Sequence, residues 1–278
     1  MTQSDFVPAS STVPVVRQDV DAAQSSKKGL AGVLETILRR FRIFAYMFTL
    51  TPLYFLGALC MGIALVPGIY LFGFVRAATQ HWPEFWRFLA LGVTIASSYF
   101  LYGFTLLFLI PLVNFLLCLK IRPWRGIYYS LPAVPWYIHN ALTYLVRFTF
   151  LKFVTPTPWN IFFYRGMGMK VGRNVMINTT YISDPCLIEL GDKVTIGGSV
   201  TMVAHYGVGG YLVIAPVKIG KGAVIGLKAT IMGDVEIGEN AKVLPNSVVM
   251  PKTRIPAGEL WGGVPAQCIR SQAKESES

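Results

Sequence analysis

Residues 219–248 repeat every six residues without a slip. The hexads open at Ile219, Ile225, Ile231, Ile237 and Val243. Gly220, Gly226 and Gly238 take the second place, with Met232 and Leu244 in the other two. The fifth place holds Ala223, Ala229, Val235, Ala241 and Ser247, all small or apolar. A period of six fits neither an amphipathic helix nor one long alternating strand. It fits one short unit stacked on itself, a strand and a corner per hexad, three strands per turn. Ile or Val then points into a triangular prism, and glycine suits corners where φ turns positive and backbones approach closely. Such a prism winds left-handed, against the usual rule for parallel crossovers. The period therefore predicts an all-β left-handed parallel β-helix.

The repeat starts earlier, at Val171 and Ile177. An irregular patch, Tyr181 to Leu187, precedes Leu190, Ile196 and Met202. The step to Leu190 is out of register by one, so a corner there carries an insertion. A glycine-rich excursion, Tyr206 to Pro216, interrupts the coils before Ile219. About four coils are expected over 166–270, closed by the segment Ile255 to Arg270.

The first half has a different character. The chain is 53% hydrophobic and 14% charged over 278 residues, with the apolar residues concentrated before position 160. Soluble chains are usually about 25% charged. Ile43 to Val75 and Phe88 to Leu119 contain no charge. As one straight helix the first run would be about 50 Å long, beyond a hydrocarbon core of roughly 30 Å. Pro52 and Pro67 are the expected break points. A membrane α-helical hairpin over 30–125 is predicted, with spans near 43–75 and 88–119. Lys27, Lys28, Arg39, Arg40 and Arg42 precede the spans, and Lys120, Arg122 and Arg125 follow them. The 76–87 link carries Arg76, Arg87 and Glu84. This asymmetry places both termini in the cytoplasm. Residues 1–29 read as a disordered tail and 271–278 as a frayed one.

Between the two halves, 126–165 is rich in Trp, Tyr and Phe with interspersed prolines and basic residues. That mixture suits the headgroup zone, as an interfacial aromatic collar. It either lines the route of a lipid-like substrate or simply packs between the halves. The net charge of +11 comes with no nucleic-acid motif, and much of it flanks apolar segments. Nucleic acid is therefore not expected as a partner, whereas membrane lipid is. The four cysteines lie far apart without a CxxC pair, which argues for free thiols and against a zinc site.

His205 is the single histidine of the repeat region and stands where regular coils give way to the excursion. A histidine there can project into a groove beside a neighbouring subunit, and imidazole suits proton abstraction from a hydroxyl or amine. The run from Val200 to Val249, with "AHYGVGGYL", "PVKIG" and the closing "GGVPA", resembles the hexapeptide-repeat acyltransferases. With "WNIFFYRGMGMKVG" and "YISDPCLIELGD" after paired apolar runs, it is most similar to the membrane-anchored units in the tail of ε-poly-lysine synthetase-type enzymes. Those units occur in tandem, whereas one is expected here, without an adenylation or carrier domain. The resemblance implies an acyl-CoA donor, acetyl-CoA foremost, a homotrimer, and His205 as general base. Asp184 or Glu189 would orient the imidazole, with a turn role as the alternative for Asp184 before Pro185. By position, coenzyme A carries over to Gly226, Ala229 and Ser247. Lys252, Arg254 and Arg270 would meet its phosphates, and Trp261 and Pro265 its pantetheine, with solvation and packing as the alternatives. Cys186 lacks the local signature of a nucleophile. The excursion lacks the acidic and aromatic residues expected for a soluble sugar. A zinc carbonic anhydrase prism needs three histidine ligands, which one histidine cannot supply.

Three functions follow as expectations. The first is acyl transfer to a hydroxyl or amine on a lipid-linked or amphipathic acceptor. The second is aminoacyl or peptidyl transfer from a carrier-protein thioester. The third is a non-catalytic membrane scaffold.

Overall fold

The computed structural model describes residues 22, 24–25, 28–119, 121–128 and 130–271. Most of the expected tails lie outside the described residues, as do Lys27 and Lys120. Five α-helices precede or flank a β-solenoid: α1 Gly29–Arg40, α2 Arg42–Ala78, α3 Glu84–Leu116, α4 Val134–Val146 and α5 Pro158–Gly166.

The solenoid has three faces of parallel strands. One face runs Lys170–Val171, Ile188–Leu190, Val217–Ile219, Val235–Ile237 and Arg254–Ile255. The second runs Met176–Ile177, Thr195–Ile196, Val224–Ile225, Lys242–Val243 and Leu260–Gly263. The third runs Ile182–Ser183, Thr201–Val203, Thr230–Ile231 and Val248–Val249. That makes nearly five coils where about four are expected. In the first coil, Val171 and Ile177 are legible as hexads, and the third strand, Ile182–Ser183, lies in the patch that reads as irregular. The leading residues Ile219, Ile225, Ile231, Ile237 and Val243 are buried, and so are all five fifth-place residues. The strands pair so that like residues stack along the axis, as Ile225 does between Ile196 and Val243.

The corners divide two jobs that the repeat pattern assigns together to glycine. Positive φ falls on the fourth place, at Gly222, Lys228, Asp234, Asn240, Asn246 and Lys252. Asn and Asp tolerate that conformation better than most side chains. The second-place glycines serve close approach instead. A Cβ on Gly238 would stand 2.4 Å from the backbone nitrogen of Ala257 in the next coil, and one on Gly226 2.5 Å from that of Pro245.

The excursion is not an open loop. It is a hairpin, His205–Val208 against Tyr211–Ile214, turning through Gly209 and Gly210, both at positive φ. A strand at Trp124–Ile127 adds to its second arm. Leu212 and Ile214 bury themselves against Ala133, Trp124, Tyr128 and Trp136. The collar thus begins with a strand, and its helices pack on the hairpin.

Helices α2 and α3 lie side by side. Ser98 donates to the Gly68 carbonyl at 3.1 Å, and a Cβ on Gly68 would fall 2.8 Å from Ser98. Small residues let the two backbones approach. Leu50–Ala78 and Glu84–Leu116 are long and apolar enough to cross a membrane, and Tyr54, Phe55, Tyr70, Phe74 and Phe85 all face outward. Pro52 and Pro67 do not break α2, which is assigned as one helix through both. Prolines are tolerated within long apolar helices. Arg39 differs from the expected flanking charge. It is buried in α1, pairs with Glu35 at 2.9 Å, and donates to the Gln24 carbonyl at 3.2 Å.

Candidate active site

The corner insertion expected before Leu190 is the segment Asp184–Leu187. Asp184 takes a left-handed conformation (φ 56°), and Pro185–Leu187 form a 3-10 turn. This pushes Asp184 out of the strand rhythm and towards the start of the hairpin. Its carboxylate is fully buried, and Oδ2 accepts a 2.5 Å hydrogen bond from Nδ1 of His205. The Ala204 backbone N–H donates to the same oxygen at 3.1 Å. Asn140 of α4 donates to Oδ1 at 2.6 Å and accepts from the Asp184 backbone N–H at 3.2 Å. Both carboxylate oxygens are therefore occupied and the side chain has one orientation.

A carboxylate accepts only, so Nδ1 of His205 carries the proton and Nε2 presents its lone pair. Nε2 has no hydrogen bond among the described residues, and the side chain is 23% exposed. The ring is also held from the side. Trp136 of α4 meets it edge to face with centroids 5.0 Å apart. The Trp136 indole N–H is buried with no acceptor among the described residues. An oriented imidazole with one free nitrogen, beside an unused donor, is equipped to take a proton from a hydroxyl or amine.

The other expected site residues are distributed. Glu189 does not reach His205. It faces outward on the first face and pairs with Lys170 at 3.2 Å. Ala229 and Ser247 are buried at corners between the second and third faces, with Gly226 at the same corner. Ser247 Oγ accepts from the Gly263 N–H at 3.2 Å. Lys252 stacks below Asp234, donating its backbone N–H to the Asp234 carbonyl at 2.8 Å. Gly233, just before Asp234, lies beneath the His205 backbone, so Lys252 shares the His205 corner column. Arg254 is tied to Asp234 at 2.6 Å and lies 3.6 Å from Glu236. Trp261 donates to Glu259 at 2.7 Å, and Pro265 and Arg270 belong to the exposed closing hairpin.

Sequence reasoning misses the α4 contribution. Trp136, Asn140 and Tyr144 are spaced four apart, so they share one helix face. Trp136 meets His205, Asn140 holds Asp184, and Tyr144 bonds Ser183 Oγ at 2.6 Å. That spacing is the one signal in the sequence that could have found them. His139, next on the helix, is fully buried and hydrogen-bonds Asn114 of α3 through Nδ1 at 2.8 Å. Burial pushes its pKa down to about 4, against an opposing pull from Asp184. Burial, and then the Asp184 carboxylate, push the Cys186 thiol up to about 12, so it stands as an un-ionised neighbour of the site.

Comparison with known proteins places these coils. Residues 216–251 match the bacterial transferase hexapeptide, six repeats. The matched residues are two coils of the solenoid. Gamma carbonic anhydrase 2, mitochondrial, of Arabidopsis thaliana is 34% identical over 113 residues, 40% of this chain and 36% of that protein. Delta-poly-L-ornithine synthetase of Acinetobacter baumannii is 29% identical over 105 residues, 38% of this chain. The chain spans only 8% of the synthetase's length. The putative acetyltransferase YvoF of Bacillus subtilis is 27% identical over 156 residues, 51% of this chain and 87% of YvoF.

The carbonic anhydrase likeness raises zinc, and the residues do not fit it. The three histidines occupy separate places: His81 bonds Gln80 in the α2–α3 link, His139 bonds Asn114, and His205 bonds Asp184. Among the described residues no three of His, Cys, Asp and Glu come together as a ligand set. Hexapeptide repeats here surround a carboxylate–imidazole pair.

Proposed function

We propose that this protein is a membrane-anchored acyltransferase. It moves an acyl group, acetyl in the first instance, from a thioester such as acyl-CoA to a hydroxyl or amine on a lipid-linked or amphipathic acceptor. The observation that carries this reading is the buried Asp184 fixing His205 with Nε2 free. The match to the bacterial transferase hexapeptide supports it, as does the likeness to the putative acetyltransferase YvoF. In the reaction, Nε2 of His205 takes the acceptor proton as the acceptor atom bonds the thioester carbonyl carbon. The carbon–sulfur bond then breaks, and the departing thiolate receives the proton from the imidazolium. Asp184 and Asn140 keep the ring in the required tautomer. Gly226 would line the donor at the corner it shares with the fully buried Ala229 and Ser247, and Lys252 and Arg270 would meet its phosphates; Arg254 is engaged by two carboxylates. Helices α2 and α3 form the anchor, with both ends cytoplasmic, and the repeats assemble as a homotrimer.

Mass spectrometry of extractable lipids tests this. Strains carrying the wild type, a deletion, His205→Ala and Asp184→Asn are compared. A species lighter by one acyl mass is expected in all three altered strains, with transfer by the purified variants lower by about 10²-fold or more. A change in the deletion alone would make the pair structural and favour a scaffold.

A second reading has its own observation, the 105-residue likeness to a poly-ornithine synthetase. On that reading the donor is an aminoacyl or peptidyl thioester on a carrier protein. Purified protein stabilised by an aminoacyl-loaded carrier protein and not by acyl-CoA would select it.

A further inference from the structure

An apolar groove of about 440 Å³ runs between α2 and α4, within the size range of small-molecule sites. Its α2 wall is Leu50 to Met61, and its α4 side ends at Tyr144, Phe148 and Thr149. Tyr54 and Phe148 at its edges are 75% and 76% exposed, so it opens sideways onto the surface that α2 offers to lipid. Gly57 lies in its wall, and a Cβ there would meet nothing within 4 Å. The groove also has a polar end. Tyr144 bonds Ser183, the residue before Asp184.

At that end stands Arg147. Its guanidinium lies over three rings, Tyr181 at 4.4 Å, Phe148 at 5.2 Å and Tyr144 at 5.4 Å. Two of these rings line the groove, and Tyr181 leads into the Asp184 corner. No carboxylate pairs with Arg147 among the described residues, and its side chain makes no hydrogen bond there. Aromatic rings thus fix a cation whose five N–H donors are all unused. A planar fork of donors at the end of an apolar trough matches a phosphate on a hydrocarbon chain.

We propose that this groove is the acceptor site: a membrane lipid with a phosphate-bearing head lays its chain between α2 and α4, and Arg147 holds the phosphate. The name "acceptor site" rests on the acyltransferase reading; the lipid site itself does not. The polar end of the groove is tied through Tyr144 to Ser183, whose neighbour Asp184 holds His205.

The probe is phosphatidic acid carrying a diazirine on its chain, with diacylglycerol bearing the same chain as the neutral control. Full-length protein in nanodiscs is irradiated and the labelled peptides are mapped. Phosphatidic acid should label 50–61 and 141–149, several-fold above diacylglycerol. Gly57→Phe, whose Cβ meets no protein atom within 4 Å and whose ring would occupy the trough, should abolish that labelling. Arg147→Gln should cut phosphatidic acid labelling about tenfold, the loss expected for one charge-assisted contact, and leave diacylglycerol unchanged. Inorganic phosphate should not compete at millimolar concentration. Label spread evenly over α2 and α3, equal labelling by the neutral lipid, or an intact signal in both variants would overturn the site; competition by free phosphate would replace the lipid with a soluble anion. His205→Ala should label like the wild type. Lipid labelling without any acyl transfer would therefore sink the enzyme reading and leave the site.

Discussion

At the scale of single residues, the site depends on groups with no freedom left. His205 was legible because it is alone in the repeats and stands where they break. Asp184 was legible only as one of two carboxylates, because the register slip that positions it shows in the sequence as mere irregularity. Asn140 and Trp136 were not legible, since they arrive from a helix some 40–70 residues away that carries no motif of its own. His139 adds a pH dependence to this framework. Its unfolded pKa is near 6.5 and burial lowers the folded value to about 4. Between those values the unfolded chain binds more protons, so stability is complete above pH 6.5 and falls as pH drops towards 4. The shift corresponds to about 3 kcal/mol at full development. The thermal midpoint of the wild type should therefore fall more steeply across that window than that of His139→Asn, whose amide N–H takes the place of Nδ1 towards Asn114 without titrating. Parallel curves for the two proteins would remove His139 as the cause.

At the scale of elements, a repeat declares its own fold, and the elements that break the repeat do not. The hexads set the inward ladder and the third strand of each turn. They could not reveal that the excursion is a hairpin, because its partner strand, Trp124–Ile127, lies some 80 residues earlier in a segment that reads as headgroup-zone collar. They also conflated two kinds of corner. Gly238 is required for space, since its Cβ would strike backbone that cannot rotate away. Lys228 bears a left-handed φ of 56° at a place where glycine would be easier. Opposite outcomes follow for formally similar changes. Gly238→Ala should destabilise the solenoid by roughly 2–3 kcal/mol, because two coils must separate. Lys228→Gly should cost nothing or raise the midpoint slightly, relief of strain offsetting the gain in unfolded-state entropy. Thermal unfolding of both variants decides this, and a larger loss for Lys228→Gly would invert the assignment of the corners.

At the scale of the molecule, the two halves meet through polar contacts that no local pattern announces. Asn114, near the end of α3, bonds His139; Asn140 bonds Asp184; Tyr99 of α3 donates to the Thr149 carbonyl at 2.7 Å. The early part of α2 lies against α4 through the groove residues. The start of one apolar helix and the end of the other are therefore both at the solenoid, and the link at 79–83 is at the far end of the hairpin. If the helices cross a bilayer, that link must emerge on the face opposite the repeats. The sequence supports this only through its flanking charges, and the structure weakens that support by burying Arg39 against Glu35. Contact geometry is the stronger argument. Exposed Cys118 and Cys268 give a chemical readout on the solenoid side, whereas Cys60 is buried. In sealed vesicles, a membrane-impermeant maleimide should reach Cys268 from one face. In a Cys118→Ser, Cys268→Ser background, it should reach Gln80→Cys from the other face. Labelling of both positions from the same face would mean that the hairpin enters and returns without crossing, and the groove beside α2 would then lie at the membrane surface, with only its open edge in lipid.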